Sequence, residues 1–200
     1  MTFLDKFTGR AEACSTGRPS YPHQILDILA REIGFDHTRI VADVGSGTGL
    51  LSKLFLENGN RVYAVEPNEE MRLIAEETLA KHPSFVSINA TAESTTLGNA
   101  TIDLVTVGQA LHWFNLELAG REFARILRPN GNLCVLYNDR NKESEFMKAY
   151  DEVIQKYARN RAKVPDINHD YLSRFYEGGK YSKFLLLNEQ LLDLEGLFGG

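Results

Sequence analysis

The order of apolar runs in this chain predicts an α/β fold, a doubly wound and mostly parallel sheet with helices on both faces. Three observations carry the prediction. Five short apolar runs alternate with segments of helical period. A glycine-rich turn joins the first run to a helix. The residues suited to chemistry fall just after the apolar runs, at the carboxyl ends of strands where ligands bind in such sheets.

Each element follows from its residues. Tyr21-Pro22 opens a first helix, because proline suits a first turn whose N–H groups have no intrahelical partner. Ile25, Ile28, Leu29 and Ile33 recur at helical spacing, and Gly34 stops the helix. Ile40–Val44 reads as the first strand, and the helix after it puts Leu51, Leu54 and Phe55 on one face. Residues 61–66 form the second strand. Asn68 caps the next helix, Glu69 and Glu70 suit its positive end, and Met71, Ile74, Ala75 and Leu79 make its apolar stripe. Residues 85–88 and 102–107 are the third and fourth strands. A helix runs through Phe123, Ile126 and Leu127, Pro129-Asn130-Gly131 turns the chain, and 133–137 is the fifth strand. Ser144 caps a last helix with Phe146, Met147, Tyr150, Val153, Ile154 and Tyr157 inward. Strands alternating with helices in this way build right-handed βαβ units.

A chain of 200 residues that is 43% hydrophobic can bury a core without staples, as one domain or one with a small appendage. The net charge of −5 counts against a general nucleic-acid binder, whose affinity comes from lysine and arginine. Cys14 and Cys134 make neither a disulfide framework nor a four-ligand zinc site, and fit a reducing compartment. No leader-like or membrane-length apolar run occurs, so the reading is a cytoplasmic protein with no membrane partner. His23, His37, His82 and His169 lack ligand spacing, and no metal is expected.

Gly45-Ser46-Gly47-Thr48-Gly49 follows the first strand directly, where the backbone turns tightly and a ligand must come close. The loop feeds a helix N-terminus, whose N–H groups can donate to an anionic end. Alone, the pattern also fits a turn with no ligand. Glu66, at the end of the second strand and 17 residues after Gly49, sharpens it, since a carboxylate there can accept from both hydroxyls of a ribose. The dinucleotide fingerprint needs glycine at position 50, where Leu50 stands. Asp43 would repel a pyrophosphate but suits a ligand carrying an amino group and a sulfonium. The chemistry favours S-adenosylmethionine over NAD.

The stretch 41–49 resembles motif I of the class I methyltransferases that use S-adenosylmethionine, and Val65-Glu66-Pro67-Asn68 resembles their acidic ribose site. Asn89-Ala90-Thr91-Ala92-Glu93 is similar to the segment beside adenine, 103–114 to the motif after the fourth strand, and 123–131 to the helix-turn before the fifth. The similarity spans about residues 1–194 and is nearest the small-molecule branch called type 11, which includes trans-aconitate methyltransferase-like proteins. It implies a Rossmann-like core over 36–140, behind an N-terminal lid segment and helix over 1–35. It places Gly45, Ser46 and Gly47 beside the methionine part of the cofactor, and Glu66 on the ribose. Pro67 and Asn68 lie near the adenine, Ala92 and Glu93 on its edge, and Gln109 faces the cofactor. One departure is Cys14, where relatives carry an aromatic residue in the lid.

Methyl transfer from a sulfonium is an in-line displacement that needs positioning more than a nucleophile of the protein's own. If the acceptor has a proton to lose, His112, just after the fourth strand, is the candidate base; packing beside Trp113 and Phe114 is the competing role. Arg18, Tyr21 and Trp113 are candidate acceptor contacts, and Arg10 reads as surface. The acceptor is expected to be a small molecule. A SAM- or nucleotide-binding module without activity is the alternative, and an NAD oxidoreductase a further one. Such folds usually close with two more strands, whereas 141–200 offers a helix and one strand-like run, 184–187 continuing to 191–194. The expectation is a truncated chain with an uncovered sheet edge, which invites a homodimer.

Overall fold

The computed structural model describes residues 20–139, 144–157 and 181–189. Among these residues five strands and five helices follow one another, alternating except that β4 comes directly after β3: α1 Gln24–Ile33, β1 Ile40–Val44, α2 Leu50–Glu57, β2 Arg61–Val65, α3 Glu69–Leu79, β3 Phe85–Ile88, β4 Ile102–Gly108, α4 Leu116–Ile126, β5 Leu127–Leu136 and α5 Glu145–Tyr157. A short 3₁₀ turn, Leu111–Trp113, precedes α4. The sheet order is β3-β2-β1-β4-β5, and every pairing is parallel. The chain winds outward from β1 in one direction and returns to β1's other side through β4. The carboxyl ends of β1 and β4 therefore form the switch point, where a crevice opens.

β1 is buried along Val41–Val44 because the central strand is covered on both faces. Its alternate side chains feed two cores. Ala42 and Val44 join Val65, Val105, Val107, Phe123 and Ile126 on one face. Val41 joins Ile25, Leu29, Leu54, Phe55, Val62 and Leu104 on the other. Phe55 and Phe123 are almost wholly buried, each contributing about 1.5–3 kcal/mol of apolar transfer.

Polar pins set the register. The Asp103 carboxylate accepts from the Ile40 N–H at 2.8 Å, and both its oxygens accept from the Arg128 Nη1, Oδ1 at 2.9 Å and Oδ2 at 2.8 Å, tying the starts of β1, β4 and β5. Partial burial raises this carboxyl, but the Ile40 N–H and the Arg128 and Arg39 guanidinium groups outweigh it and hold it below the usual range. Glu122 on α4 accepts from the Thr95 N–H and hydroxyl at 2.7 and 2.6 Å, and pairs with Arg125. Those contacts, led by Arg125, lower its carboxyl to about 2.

The helices and strands follow the expected order, with three differences. α1 begins at Gln24, because Pro22 and His23 close a preceding turn through their carbonyls to Ile25 and Leu26; Gly34 (φ +62°) ends it as expected. β5 begins at Leu127, so Pro129-Asn130-Gly131 is a bulge inside the strand. Leu127 pairs with Ile102 and Asn132 with Leu104, and Asn130 sits at φ +64°. The expected strand at 184–187 does not form. That segment has no sheet pairing, with Leu185 90% and Leu187 93% exposed. It is held instead by Asn188, whose amide donates to the Ser20 carbonyl and to Asn138, and by Phe184 beneath the Arg31 guanidinium. An apolar run becomes a strand only where a partner backbone satisfies its N–H and C=O groups. Residues 191–194 lie outside the described residues. Ser144 caps α5 through the Met147 N–H at 3.2 Å, and Met147 and Tyr150 are half-buried; the side chains of Phe146, Val153, Ile154 and Tyr157 lie outside the description. Among the described residues no helix is long and apolar enough to cross a membrane.

Candidate functional site

The loop after β1 wraps over the end of β2, with the Gly45 and Ser46 N–H groups both donating to the Val65 carbonyl at 2.9 and 3.2 Å. That path needs φ +70° at Gly45, where a Cβ would sit 2.6 Å from the Ala110 Cβ. Gly49 serves another end. A Cβ there would lie 2.7 Å from Leu79 Cδ1, so its bareness lets α2 pack on α3, and it does not line the cleft described below.

Glu66 stands one residue past β2 and is 9% exposed. Its Oε2 accepts from the Gly47 N–H and its Oε1 from the Asn68 N–H, both at 2.8 Å. The carboxylate thereby fixes both loops. A carboxylate has about four acceptor positions, so two remain. Burial raises this carboxyl above its ordinary range, although the Asn68 and Gly47 N–H groups and the Arg72 charge pull the other way. Arg72 also donates to the Glu66 carbonyl at 3.2 Å. Asn68 caps α3 as expected, its Oδ1 accepting from the Met71 N–H at 3.0 Å.

Asp43 is fully buried in the middle of the sheet's upper edge. Its carboxylate accepts from the Ser52 hydroxyl at 2.6 Å and the Thr106 hydroxyl at 3.2 Å. Desolvation outweighs those bonds and pushes it up to about 6. Thr106 is in place because β4 pairs it directly with Asp43. Gln109, directly after β4, takes φ +58°, a conformation that side chains other than glycine adopt at a cost, and its N–H donates to the Leu136 carbonyl. Gly108 is where Tyr21 comes down on the sheet: a Cβ there would be 2.5 Å from the Tyr21 hydroxyl.

These groups line one cleft of about 870 Å³, its open mouth included, at the switch point. Asp43, Gly45, Ser46, Gly47, Glu66, Pro67, Asn68, Gln109, Tyr21 and Trp113 all face it, together with Phe114. The Ser46 hydroxyl is buried there with no hydrogen-bond partner. A buried hydroxyl with no protein partner at a cleft wall has its hydrogen-bonding capacity open to whatever enters the cleft, ligand or water. The cradle thus presents backbone and hydroxyl donors, a carboxylate with spare acceptor positions and a buried acid, a set that fits a nucleoside bearing an amino acid tail.

Other expected site residues lie elsewhere. Ala92 is buried in the core, and Glu93 accepts from the Asn115 N–H at the start of α4; neither lines the cleft. His112 sits beside the cleft, its ring 4.5 Å from that of Trp113 and its Nδ1 3.3 Å from the Tyr137 hydroxyl. Arg10, Cys14 and Arg18 lie outside the described residues. Burial pushes the Cys134 thiol up to about 11, which keeps it from acting as a nucleophile. Among the described residues no cluster of three or more His, Cys, Asp or Glu could hold a metal. Ser52, Thr106 and Tyr137 escaped the sequence reading; the one available signal was polar Thr106 inside an apolar strand.

Comparison with known proteins points the same way. A family model described as a methyltransferase domain matches residues 42–135. The chain is 34% identical over 163 residues to an uncharacterized methyltransferase of Mycobacterium tuberculosis, an alignment covering 80% of this chain and 64% of that protein. It is 32% identical over 119 residues to a ubiquinone/menaquinone biosynthesis C-methyltransferase of Hydrogenovibrio crunogenus, covering 56% and 47%. Among solved structures, a candidate type II methyltransferase of Anaeromyxobacter dehalogenans superposes with a TM-score of 0.69 at 24% identity, over 91% of this chain and 76% of that one. The chain thus spans a little under two thirds of the mycobacterial protein's length.

Proposed function

We propose that the chain is a class I S-adenosylmethionine-dependent methyltransferase, a reading that its methyltransferase-domain match and its mycobacterial relative support, and that it passes the cofactor's methyl group to a small-molecule acceptor by in-line displacement. The observation that carries the reading is Glu66, whose buried carboxylate keeps two acceptor positions beside an unpartnered Ser46 hydroxyl in the same cleft. Vicinal ribose hydroxyls take the first, and the amino acid tail meets the second along the Gly45-Ser46-Gly47 backbone. With the cofactor in this cleft, Asp43 would offer its acid to the tail's ammonium, Pro67 and Asn68 would lie near the adenine, and Gln109 would face the cofactor. Glu93 supports the adenine side indirectly, by holding the start of α4, and Ala92 by core packing.

When bound, S-adenosylmethionine supplies a methyl group already activated on a sulfonium, so the chain's residues have only to orient and enclose the partners. Tyr21 and Trp113 wall the cleft on the acceptor side. His112, beside the cleft and next to Trp113, takes the proton of an acceptor that has one to lose. The trans-aconitate methyltransferase-like branch is the finer assignment that the motifs support. Self-association through the outer edge of β5 completes the reading, and light scattering that finds a monomer removes that part.

The test is a titration. S-adenosylhomocysteine should bind and raise the melting temperature, and NAD should do neither. Glu66→Ala should weaken S-adenosylmethionine about tenfold or more, the loss expected for a charge-assisted pair of hydrogen bonds worth roughly 1.5–3 kcal/mol. Asn68→Ala should weaken it less. Equal affinity for the wild type and Glu66→Ala overturns the ribose assignment, and a panel of carboxylate, oxygen, nitrogen and carbon acceptors read by product mass identifies the acceptor.

A further inference from the structure

Tyr137 stands one residue beyond β5, and His112 lies in the 3₁₀ turn that follows β4. β4 and β5 pair through Gly108 and Leu136, so the two loops leave the sheet side by side. The His112 Nδ1 lies 3.3 Å from the Tyr137 hydroxyl, and the rings are 6.1 Å apart at 45°. Trp113, whose ring packs 4.5 Å from the imidazole, lines the cleft. The imidazole is therefore held between a cleft-wall indole and a phenol.

A phenol both donates and accepts, so this contact has two senses. If Tyr137 donates to Nδ1, the proton of the neutral imidazole is on Nε2, and Nε2 can only donate. If Nδ1–H donates to the phenolic oxygen, the lone pair is on Nε2, and Nε2 can accept a proton. We propose that Tyr137 is a positioning residue whose hydroxyl oxygen accepts from the His112 Nδ1–H and so holds the imidazole as the tautomer that is basic at Nε2. This rests on the reading of His112 as the acceptor-side base. In that step the acceptor's O–H, N–H or C–H proton passes to Nε2. The electron pair it leaves forms the new bond to the methyl carbon, and the pair of the broken carbon–sulfur bond stays on sulfur. The imidazolium keeps its Nδ1–H on Tyr137 and later gives the Nε2 proton to water.

The test needs no acceptor. The full chain is labelled with ¹⁵N-histidine, its five histidines are assigned with the help of His112→Ala, and the ring nitrogens are read above the imidazole titration. The wild type should show His112 protonated on Nδ1, and Tyr137→Phe should shift the tautomer ratio about tenfold toward Nε2–H, the shift that one hydrogen bond of about 1.4 kcal/mol imposes. Tyr137→Met, which keeps much of the bulk but offers only a weak thioether acceptor, should shift it in the same direction and serves if the phenylalanine variant fails to fold. Nε2–H in the wild type overturns the proposal, and so does Nδ1–H that persists in both variants. Turnover of His112→Ala with the acceptor panel reads the base assignment separately. Lost turnover with an Nε2–H wild type leaves His112 at the site and removes the role of Tyr137.

Discussion

Replacing Asp43 with asparagine should make the protein more stable at neutral pH while weakening its hold on the cofactor. The carboxyl is fully buried, and desolvation moves it from 3.8 to about 6. At about 1.4 kcal/mol per pH unit, keeping it ionised above pH 6 costs the fold on the order of 3 kcal/mol. The sign follows from proton binding. The folded-state value lies above the unfolded one, so the folded chain holds the extra proton between about pH 4 and 6, and this group's contribution falls as pH rises through that window and is flat above it. Asparagine removes the charge. Its carbonyl can still accept from Ser52, and its amide can donate to a Thr106 hydroxyl turned to accept. The value of about 6 already includes the hydrogen bonds from Ser52 and Thr106, so the expected net gain at pH 7.5 is about 2–3 kcal/mol. For a chain of this size that is a rise of roughly 4–12 °C in melting temperature. Urea or thermal melts of both proteins from pH 4 to 8 check it, because the difference between them isolates residue 43. The gain should shrink toward pH 4 as wild-type Asp43 becomes protonated. An asparagine variant less stable than wild type at pH 7.5, by a gap that does not change with pH, would refute the claim that the buried charge is costly.

Two other substitutions probe the frame around the site. Gly45→Ala forces a side chain onto φ +70° and 2.6 Å from the Ala110 Cβ, so it should cost about 2–4 kcal/mol from strain and overpacking together and abolish binding of S-adenosylhomocysteine by calorimetry; unchanged binding would mean the loop can move aside. Glu122→Gln should cost about 1.5–3 kcal/mol at pH 7. Because the Glu122 carboxyl is lowered from 4.5 to about 2, its contribution is whole above about pH 4.5 and lost as pH falls toward 2, so urea melts should show the gap to wild type closing over that window.

What could be read directly from the sequence was local. The run at β1, the glycines after it, Glu66 at the end of β2 and the Asn68 cap depend on residues within a turn or two of one another, and their backbone demands are written in residue type. Period and punctuation likewise carried the alternation of helices and strands, because each element buries one face whatever its neighbours are. Pairing across the sheet depends on which backbone is there to pair, and residue type does not encode it. For that reason 184–187, apolar enough for a strand, is an exposed segment tied down by Asn188, and Pro129-Asn130-Gly131, a turn by composition, is a bulge within β5. The same holds at the site. Register alone puts Thr106 against Asp43, and the pairing of β4 with β5 alone brings Tyr137 to His112 from 25 residues away. Gly49 looked like a ligand glycine, and only the approach of α3 shows that its missing side chain makes room for Leu79. The sequence by itself determined the kind of cofactor cradle this protein carries; the tertiary structure decided which charges are buried in it and which side chains stand behind its wall, because burial and long-range contact exist only once the sheet has formed.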